Sequence, residues 1–197
     1  MEVIKVKNNL VSRAFDFAYR VHGQTTRKCS SIPYITHPLN VMIILLKNNS
    51  SEELLAAALL HDVVEDEGIS FEELTKKFGN GVCYLVEQVS EPLSLIQGES
   101  DRRISWRARK EHTITSLQKA TYQVKMLSCA DKLANISDMI HDYTNNGEDL
   151  WSKFNAPKLD QQWYYDSLIE VFAQEPNSLS KLPYYQEFRN KVEILFH

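Results

Sequence analysis

His61 and Asp62 close the apolar run Ala56-Ala57-Ala58-Leu59-Leu60 and lead into Val63-Val64-Glu65-Asp66. An imidazole and three carboxylates at the end of such a run pose an electrostatic problem, because a buried, unpaired charge costs several kcal/mol. A bound cation is the simplest compensation. On a helix, residues four apart share a face about 6 Å along the axis, which sets His61 over Glu65 and Asp62 over Asp66. One patch then offers metal ligands and acid/base groups together.

Two ligands on one helix do not complete a metal site, so others must come from elsewhere in the chain. His37, in Pro33-Tyr34-Ile35-Thr36-His37-Pro38, follows a turn-like segment. The proline after it suits the first turn of a helix, which would fix its direction. Asp131, in Cys129-Ala130-Asp131-Lys132-Leu133-Ala134-Asn135, is embedded among apolar neighbours and needs a partner of its own. A mixed histidine and aspartate set without thiolate favours a borderline-to-hard divalent ion such as manganese (Mn2+) over structural zinc.

The elements that must position these groups read as helices. Leu10, Ala14, Phe17, Ala18 and Val21 trace one apolar stripe at helical spacing, and Leu159, Trp163 and Ile169 trace another near the C-terminus. No alternating strand pattern appears, which predicts an all-α fold, a single helical-bundle domain over 1–197. Ser50-Ser51-Glu52-Glu53 and Ser70-Phe71-Glu72-Glu73 fit the capping box, in which a serine caps an amide and the glutamate three residues on returns the bond. The first box launches the helix that ends in His61-Asp62, and Gly68 marks the break after it. Phe78-Gly79-Asn80-Gly81 separates two further helices. Polar stretches at 91–103 and 145–149 read as irregular connections, neither long enough to be a domain linker.

Bulk properties exclude several classes. A chain of 197 residues suits one well-packed domain, and 43% hydrophobic content with six glycines and six prolines is that of a folded protein. A formal net charge of −4 argues against a surface built for nucleic acid, while leaving room for a local basic pocket. Cys29, Cys83 and Cys129 show no CxxC spacing, so a reducing cytoplasm is expected rather than a disulfide framework. No apolar run approaches the ~20 residues of a membrane helix, and the first residues lack the apolar stretch of a secretory signal. No membrane partner is expected, and the oligomeric state leaves no mark in the sequence.

The ordered set His37, His61-Asp62, Asp131 resembles the H…HD…D order of HD-domain metal-dependent phosphohydrolases. The flanking text narrows the branch. Ala18-Tyr19-Arg20-Val21-His22-Gly23-Gln24, Arg27-Lys28, the segment around His37, the segment from Leu59 to Asp66 and Ala130-Asp131-Lys132-Leu133-Ala134-Asn135 resemble the hydrolase domain of RelA/SpoT enzymes, shared by small stand-alone alarmone hydrolases. This resemblance runs from about residue 10 to about residue 175. It implies hydrolysis of guanosine 3′,5′-bis(diphosphate) and its pentaphosphate relative to GDP or GTP and pyrophosphate, with manganese or another divalent cation as cofactor. His37, His61, Asp62 and Asp131 would be the metal ligands, and Glu65 and Asp66 the acidic pair that orients and deprotonates the attacking water. Arg27 and Lys28 match residues that face the nucleotide, with Arg27 against the guanine, and Asn135 matches an asparagine near the ribose. The tract 151–165 resembles the C-terminal helix entry of small bacterial members. There a basic residue and a tyrosine reach the substrate phosphates, which makes Lys158 and Tyr165, seven apart on one helix face, the candidates.

Ser128-Cys129 ahead of Ala130-Asp131, and Ile136-Ser137 after the asparagine, depart from the long enzymes; both bear on substrate detail rather than on the metal site. The synthetase and regulatory domains of those enzymes have no room in 197 residues. Two other readings use the same groups. The metal site could serve another nucleotide, such as NADPH or a deoxynucleotide phosphate, because the ion recognises phosphate and only the base pocket selects. A catalytically silent nucleotide-binding module is the third reading, and the intact Glu65-Asp66 pair beside a complete ligand set opposes it.

Overall fold

The stripe from Leu10 to Val21 forms one face of a helix. In the computed structural model, which describes residues 9–27, 31–91 and 104–197, α1 (Leu10–Val21) starts at Asn9, whose side chain accepts from the Ser12 amide, and buries Ala14 and Ala18. In α2 (Thr36–Leu46) the proline at 38 sits in the first turn, where its missing N–H has no intrahelical partner to lose. α3 (Glu52–Leu60) buries every residue from Leu54 to Leu60, the pattern of a helix enclosed by others, and α1 and α2 pack against it. Its cap is Ser51, which accepts from the Leu54 amide at 3.3 Å. That is one residue later than the box read from Ser50. Ser51 holds the extended backbone a cap requires, and both Glu52 and Glu53 fall in the first turn.

The helix does not continue through His61 and Asp62 to Glu65. α3 ends at Leu60, and α4 (Val63–Glu67) begins after a two-residue break. Consecutive side chains on a helix point about 100° apart, whereas here His61 Nε2 and Asp62 Oδ2 converge to 3.2 Å. Both residues keep right-handed helical backbone angles, so the break is a local loosening rather than a change of direction. The Asp66 amide still donates to the Asp62 carbonyl at 3.0 Å, so the Asp62 to Asp66 register survives. Gly68, at φ 67, closes α4 in the left-handed conformation that favours glycine.

α5 (Phe71–Phe78), capped by Ser70 as read, and α6 (Asn80–Val89) meet at Gly79. The connection expected at 91–103 lies, after Glu91, outside the described residues. α7 (Trp106–Lys119) is followed by α8 (Tyr122–Asn146), which packs against α2, α3 and α6. The stretch expected to be irregular at 145–149 is instead the end of α8 and the start of a 3-10 helix, Gly147–Lys153. Asn145 and Asn146 donate their side-chain amides to the carbonyls of His141 and Asp142, which keeps these turn-prone residues within the helix. α9 (Lys158–Ala173) and α10 (Pro183–Phe196) complete the bundle. The stripe expected on α9 is turned: Leu159 is 77% exposed, and the buried face carries Tyr164, Tyr165, Leu168 and Phe172. Three adjacent aromatics offered alternative faces, and packing against α7 and α10 selects Tyr164 and Tyr165.

The described residues contain no strand beyond one isolated antiparallel bridge between Thr26 and Pro33, and no helix among them is long and apolar enough to cross a membrane. Cys83 and Cys129 are buried free thiols; Cys29 lies outside the described residues. Lys125, fully buried in α8, donates to the carbonyls of Val171 and Gln174 at 2.9 and 3.1 Å, and so closes the C-terminus of α9. Lys125→Met removes both bonds; the Val171 carbonyl keeps the Gln174 amide as a donor at 3.3 Å, and chemical denaturation should show a loss of about 1–3 kcal/mol.

Candidate active site

Four side chains from three parts of the fold meet at one point: His37 from α2, His61 and Asp62 from the α3–α4 break, and Asp131 from α8. His37 Nε2 lies 3.3 Å from His61 Nε2, 3.1 Å from Asp131 Oδ1 and 3.6 Å from Asp62 Oδ2. His61 Nε2 lies 3.2 Å from Asp62 Oδ2 and 3.6 Å from Asp131 Oδ1. Ligands about 2.1 Å from an ion sit about 3.0 Å apart at right angles and about 3.4 Å apart at tetrahedral angles. The observed spacings match the edges of such a shell. His61 Nδ1 lies 2.8 Å from the Ala58 carbonyl, which can only accept, so this nitrogen carries a proton and Nε2 is the ring nitrogen that faces the centre, to hold either a second proton or an ion.

The electrostatics of this point call for a cation. Burial alone would lower the His61 pKa, but the carboxylates of Asp62 and Asp131 outweigh it and push the value up to about 9. Burial likewise works against an ionised Asp131, yet the Lys132 ammonium and the two histidines hold its carboxyl well below the usual range. The carboxylates therefore draw positive charge here, as a proton on His61 or as a metal ion in its place. A second set of groups orients them. The Tyr34 hydroxyl donates to Asp62 Oδ2 at 2.6 Å, Lys132 Nζ to Asp131 Oδ2 at 2.7 Å, and Asn135 Nδ2 to Asp131 Oδ1 at 2.7 Å. Burial, then the charges of Asp62 and Asp66, raise the Tyr34 pKa, so its hydroxyl stays a donor.

A cavity of about 570 Å3 opens beside this centre, the size of a small-molecule site. Asp62, Glu65 and Asp66 line it with Lys110 of α7, Lys132, Asn135 and Asp138 of α8, and Tyr164 and Tyr165 of α9. Glu65 Oε1 accepts from the Glu91 amide at 2.6 Å. Burial, opposed by that amide and reinforced by Asp62, pushes the Glu65 carboxyl up to about 7, where a general base works best. Asp66 is raised as well, first by burial and then by Asp62.

Arg27 occupies another part of the wall. Its amide donates to the Ile32 carbonyl and the Tyr34 amide to the Thr25 carbonyl, both at 2.9 Å, which pins the loop between α1 and α2. Gly23 is required where this loop leaves α1, since a Cβ there would lie 2.7 Å from the Tyr19 carbonyl oxygen. The Arg27 guanidinium pairs with Asp138 and lies 5.9 Å from the Tyr34 ring centroid.

Among the residues singled out from the sequence, His37, His61, Asp62 and Asp131 converge, and Glu65, Asp66, Arg27, Asn135 and Tyr165 line the adjoining cavity. Lys158 is not brought there. It stands at the first position of α9, with Nζ 3.1 Å from Glu148 Oε1 and 5.5 Å from the Tyr143 and Trp151 rings, because the 3-10 helix offers it a nearer anion and aromatic faces. Tyr165 is buried, its hydroxyl 3.5 Å from Met139 Sδ. Lys28 lies outside the described residues. Tyr34, Lys132, Lys110 and Glu91 join the site without having been singled out. A phenol and an ammonium next to buried carboxylates, within the segments around His37 and Asp131, are the signal for the first two.

Comparison with known proteins gives consistent results. A family model described as HD domain matches residues 14–162. The Drosophila melanogaster protein named guanosine-3′,5′-bis(diphosphate) 3′-pyrophosphohydrolase MESH1 is 37% identical over 124 residues, 62% of this chain and 64% of its own length. The match thus spans just under two thirds of that relative. Its Xenopus tropicalis namesake is 38% identical over 133 residues, 66% of this chain and 69% of its own. Among solved structures, lmo0812 from Listeria monocytogenes EGD-e has a TM-score of 0.73 at 30% identity, covering 85% of this chain and 100% of that one. A structure described as a metazoan ortholog of SpoT that hydrolyzes ppGpp has a TM-score of 0.71 at 25% identity, covering 95% and 96%.

Proposed function

We propose, from the premise that the chain belongs to the HD domain family, that it is a metal-dependent hydrolase releasing pyrophosphate from the 3′ position of guanosine 3′,5′-bis(diphosphate) or its pentaphosphate relative. The observation that carries this reading is the convergence of two imidazoles and two carboxylates at the edge of a cavity that also holds Glu65 and Arg27. The names of the fly and frog relatives support the substrate. His37, His61, Asp62 and Asp131 would hold the ion, and a donor set without thiolate suits manganese. Bound there, a divalent ion supplies Lewis acidity toward a phosphoryl oxygen and lowers the pKa of water.

The remaining steps belong to side chains. Glu65 takes the proton of the attacking water, and Asp66 orients that water. Lys110 and Lys132 face the phosphates, where charge on the non-bridging oxygens grows in the transition state. Arg27, its guanidinium held by Asp138, offers a flat face to the base, and Asn135 stands between the metal ligand Asp131 and the ribose. Water adds to the 3′ phosphorus as the bond from that phosphorus to the ribose 3′ oxygen breaks; the leaving oxygen takes up a proton from solvent, so GDP or GTP and pyrophosphate are released.

Purified protein given guanosine tetraphosphate and manganese should yield GDP and pyrophosphate in equal amounts. Consumption of NADPH or a deoxynucleotide without alarmone turnover overturns the substrate assignment. Arg27→Ala should weaken guanosine substrates by about tenfold or more in KM, the scale of one lost stacking contact, with little change in metal affinity by titration.

A further inference from the structure

Glu91, just beyond α6, touches two parts of the site through different atoms. Its backbone N–H donates to Glu65 Oε1 at 2.6 Å. Its carboxylate accepts from Lys110 Nζ at 2.7 Å through Oε1 and pairs with the Arg109 guanidinium through Oε2. These are enclosed contacts: the Glu91 side chain is 13% exposed and that of Arg109 7%. Glu65 and Lys110 line the same cavity, from α4 and α7 respectively. Burial works against charge on Glu91, but Lys110 and Arg109 hold its carboxyl down to about 2, so it is ionised under all working conditions.

We propose that Glu91 is a positioning residue that holds Glu65 and Lys110 as one unit, so that the proton acceptor and a phosphate-binding cation keep a fixed relation as the nucleotide enters. This inference rests on the function proposed above. A lysine side chain carries about 2 kcal/mol of rotamer freedom, and a short ion pair in the cavity wall removes much of it before the substrate arrives. An ammonium has three N–H donors, and Glu91 accepts one of them. The Glu65 carboxylate, free to turn about its last torsion, is fixed by the amide in the same way. Besides Glu91, the charges of Asp62 and Lys132 act on the Glu65 carboxyl, and Asp66 and Lys110 line the cavity with it.

Glu91→Gln tests this, because it preserves the amide bond to Glu65 and the side-chain size while removing the charge. Two readouts apply: kinetics with guanosine tetraphosphate and manganese, and 13C NMR titration of the Glu65 carboxyl in metal-free protein without substrate. KM should rise about tenfold with kcat changed less, as for a lost charge-assisted contact. The Glu65 midpoint should move to lower pH, because a neighbouring negative charge is gone and Lys110 is released. An unchanged midpoint with unchanged KM overturns the proposal. Retained turnover in Glu65→Gln would instead overturn the base assignment, and the NMR midpoint in Glu91→Gln would still decide whether Glu91 governs Glu65. If Glu91→Gln does not fold, Glu91→Asp keeps a counter-charge for Arg109 but withdraws the carboxylate from Lys110. A KM rise then supports the proposal, and an unchanged KM overturns it.

Discussion

Asp62→Ala is expected to cut pyrophosphate release from guanosine tetraphosphate by at least about 10^3-fold. Asp62 Oδ2 is the group on which three contacts meet, with His61 Nε2 at 3.2 Å, His37 Nε2 at 3.6 Å and the Tyr34 hydroxyl at 2.6 Å. Alanine leaves two imidazoles facing a single carboxylate, so the site loses half its anionic charge. A divalent ion contributes several kcal/mol to stabilising a phosphoryl-transfer transition state, and about 4 kcal/mol corresponds to about 10^3 in rate. Thermal denaturation gives a readout independent of activity. Manganese should raise the Tm of the unaltered protein, as any ligand that binds only the folded state does, and should leave that of Asp62→Ala in place. Equal metal-dependent shifts in both proteins would show that Asp62 is not a ligand.

Glu65→Gln should lower kcat by about 10^2 to 10^4, the range for a lost general base, and should also stabilise the metal-free protein. Glutamine retains an oxygen to accept from the Glu91 amide, so the wall is preserved while proton acceptance is lost. The stability effect has a definite sign. In the folded protein the Glu65 carboxyl keeps its proton up to about pH 7, whereas in the unfolded chain it releases it near its ordinary value of 4.5. Between those values the folded state binds more protons, so its stability falls as pH rises and the full penalty is present above about 7. Removing the ionisable group relieves a penalty of about 1–3 kcal/mol at pH 8, or roughly 2–4 °C in Tm for each kcal/mol. Activity in the unaltered protein should follow the opposite course, rising with pH as Glu65 ionises. A bound divalent ion draws that limb to or below about 7. A destabilised Glu65→Gln protein, or one with full activity, would contradict this account.

The convergence of His37, His61, Asp62 and Asp131 was legible in the sequence because histidine and aspartate beside apolar runs demand compensation; no one of the four decides it singly, and the ordered set with its resemblance to the HD family does. The all-α class followed from periodicity alone. The helix break at His61-Asp62 was not legible, because Ala, Leu, Val and Glu are compatible with continuous helix and no local breaker marks it. Periodicity placed Lys158 and Tyr165 on one face without saying which neighbours each would meet. Lys158 found Glu148, while Tyr165 was drawn into the core. Glu91 and Lys110 are 19 residues apart. No local pattern joins them, and only the folded chain brings the Lys110 ammonium to the Glu91 carboxylate and the Glu91 amide to Glu65.

Asp131, Asn135 and Asp138 stand four and three residues apart on one face of α8, with the proposed metal ligand at one end and the partner of Arg27 at the other. At a rise of about 1.5 Å per residue, seven residues span about 10 Å. On the proposed function α8 is thus a molecular ruler, graduated from the reacting phosphorus to the base. A single inserted residue between Asp131 and Asp138 would lengthen it by about 1.5 Å and swing Asp138 about 100° off the face, so the measured length tolerates no indel. The 3-10 helix after Asn146 lies beyond the last graduation, where added or lost residues leave the gauge intact.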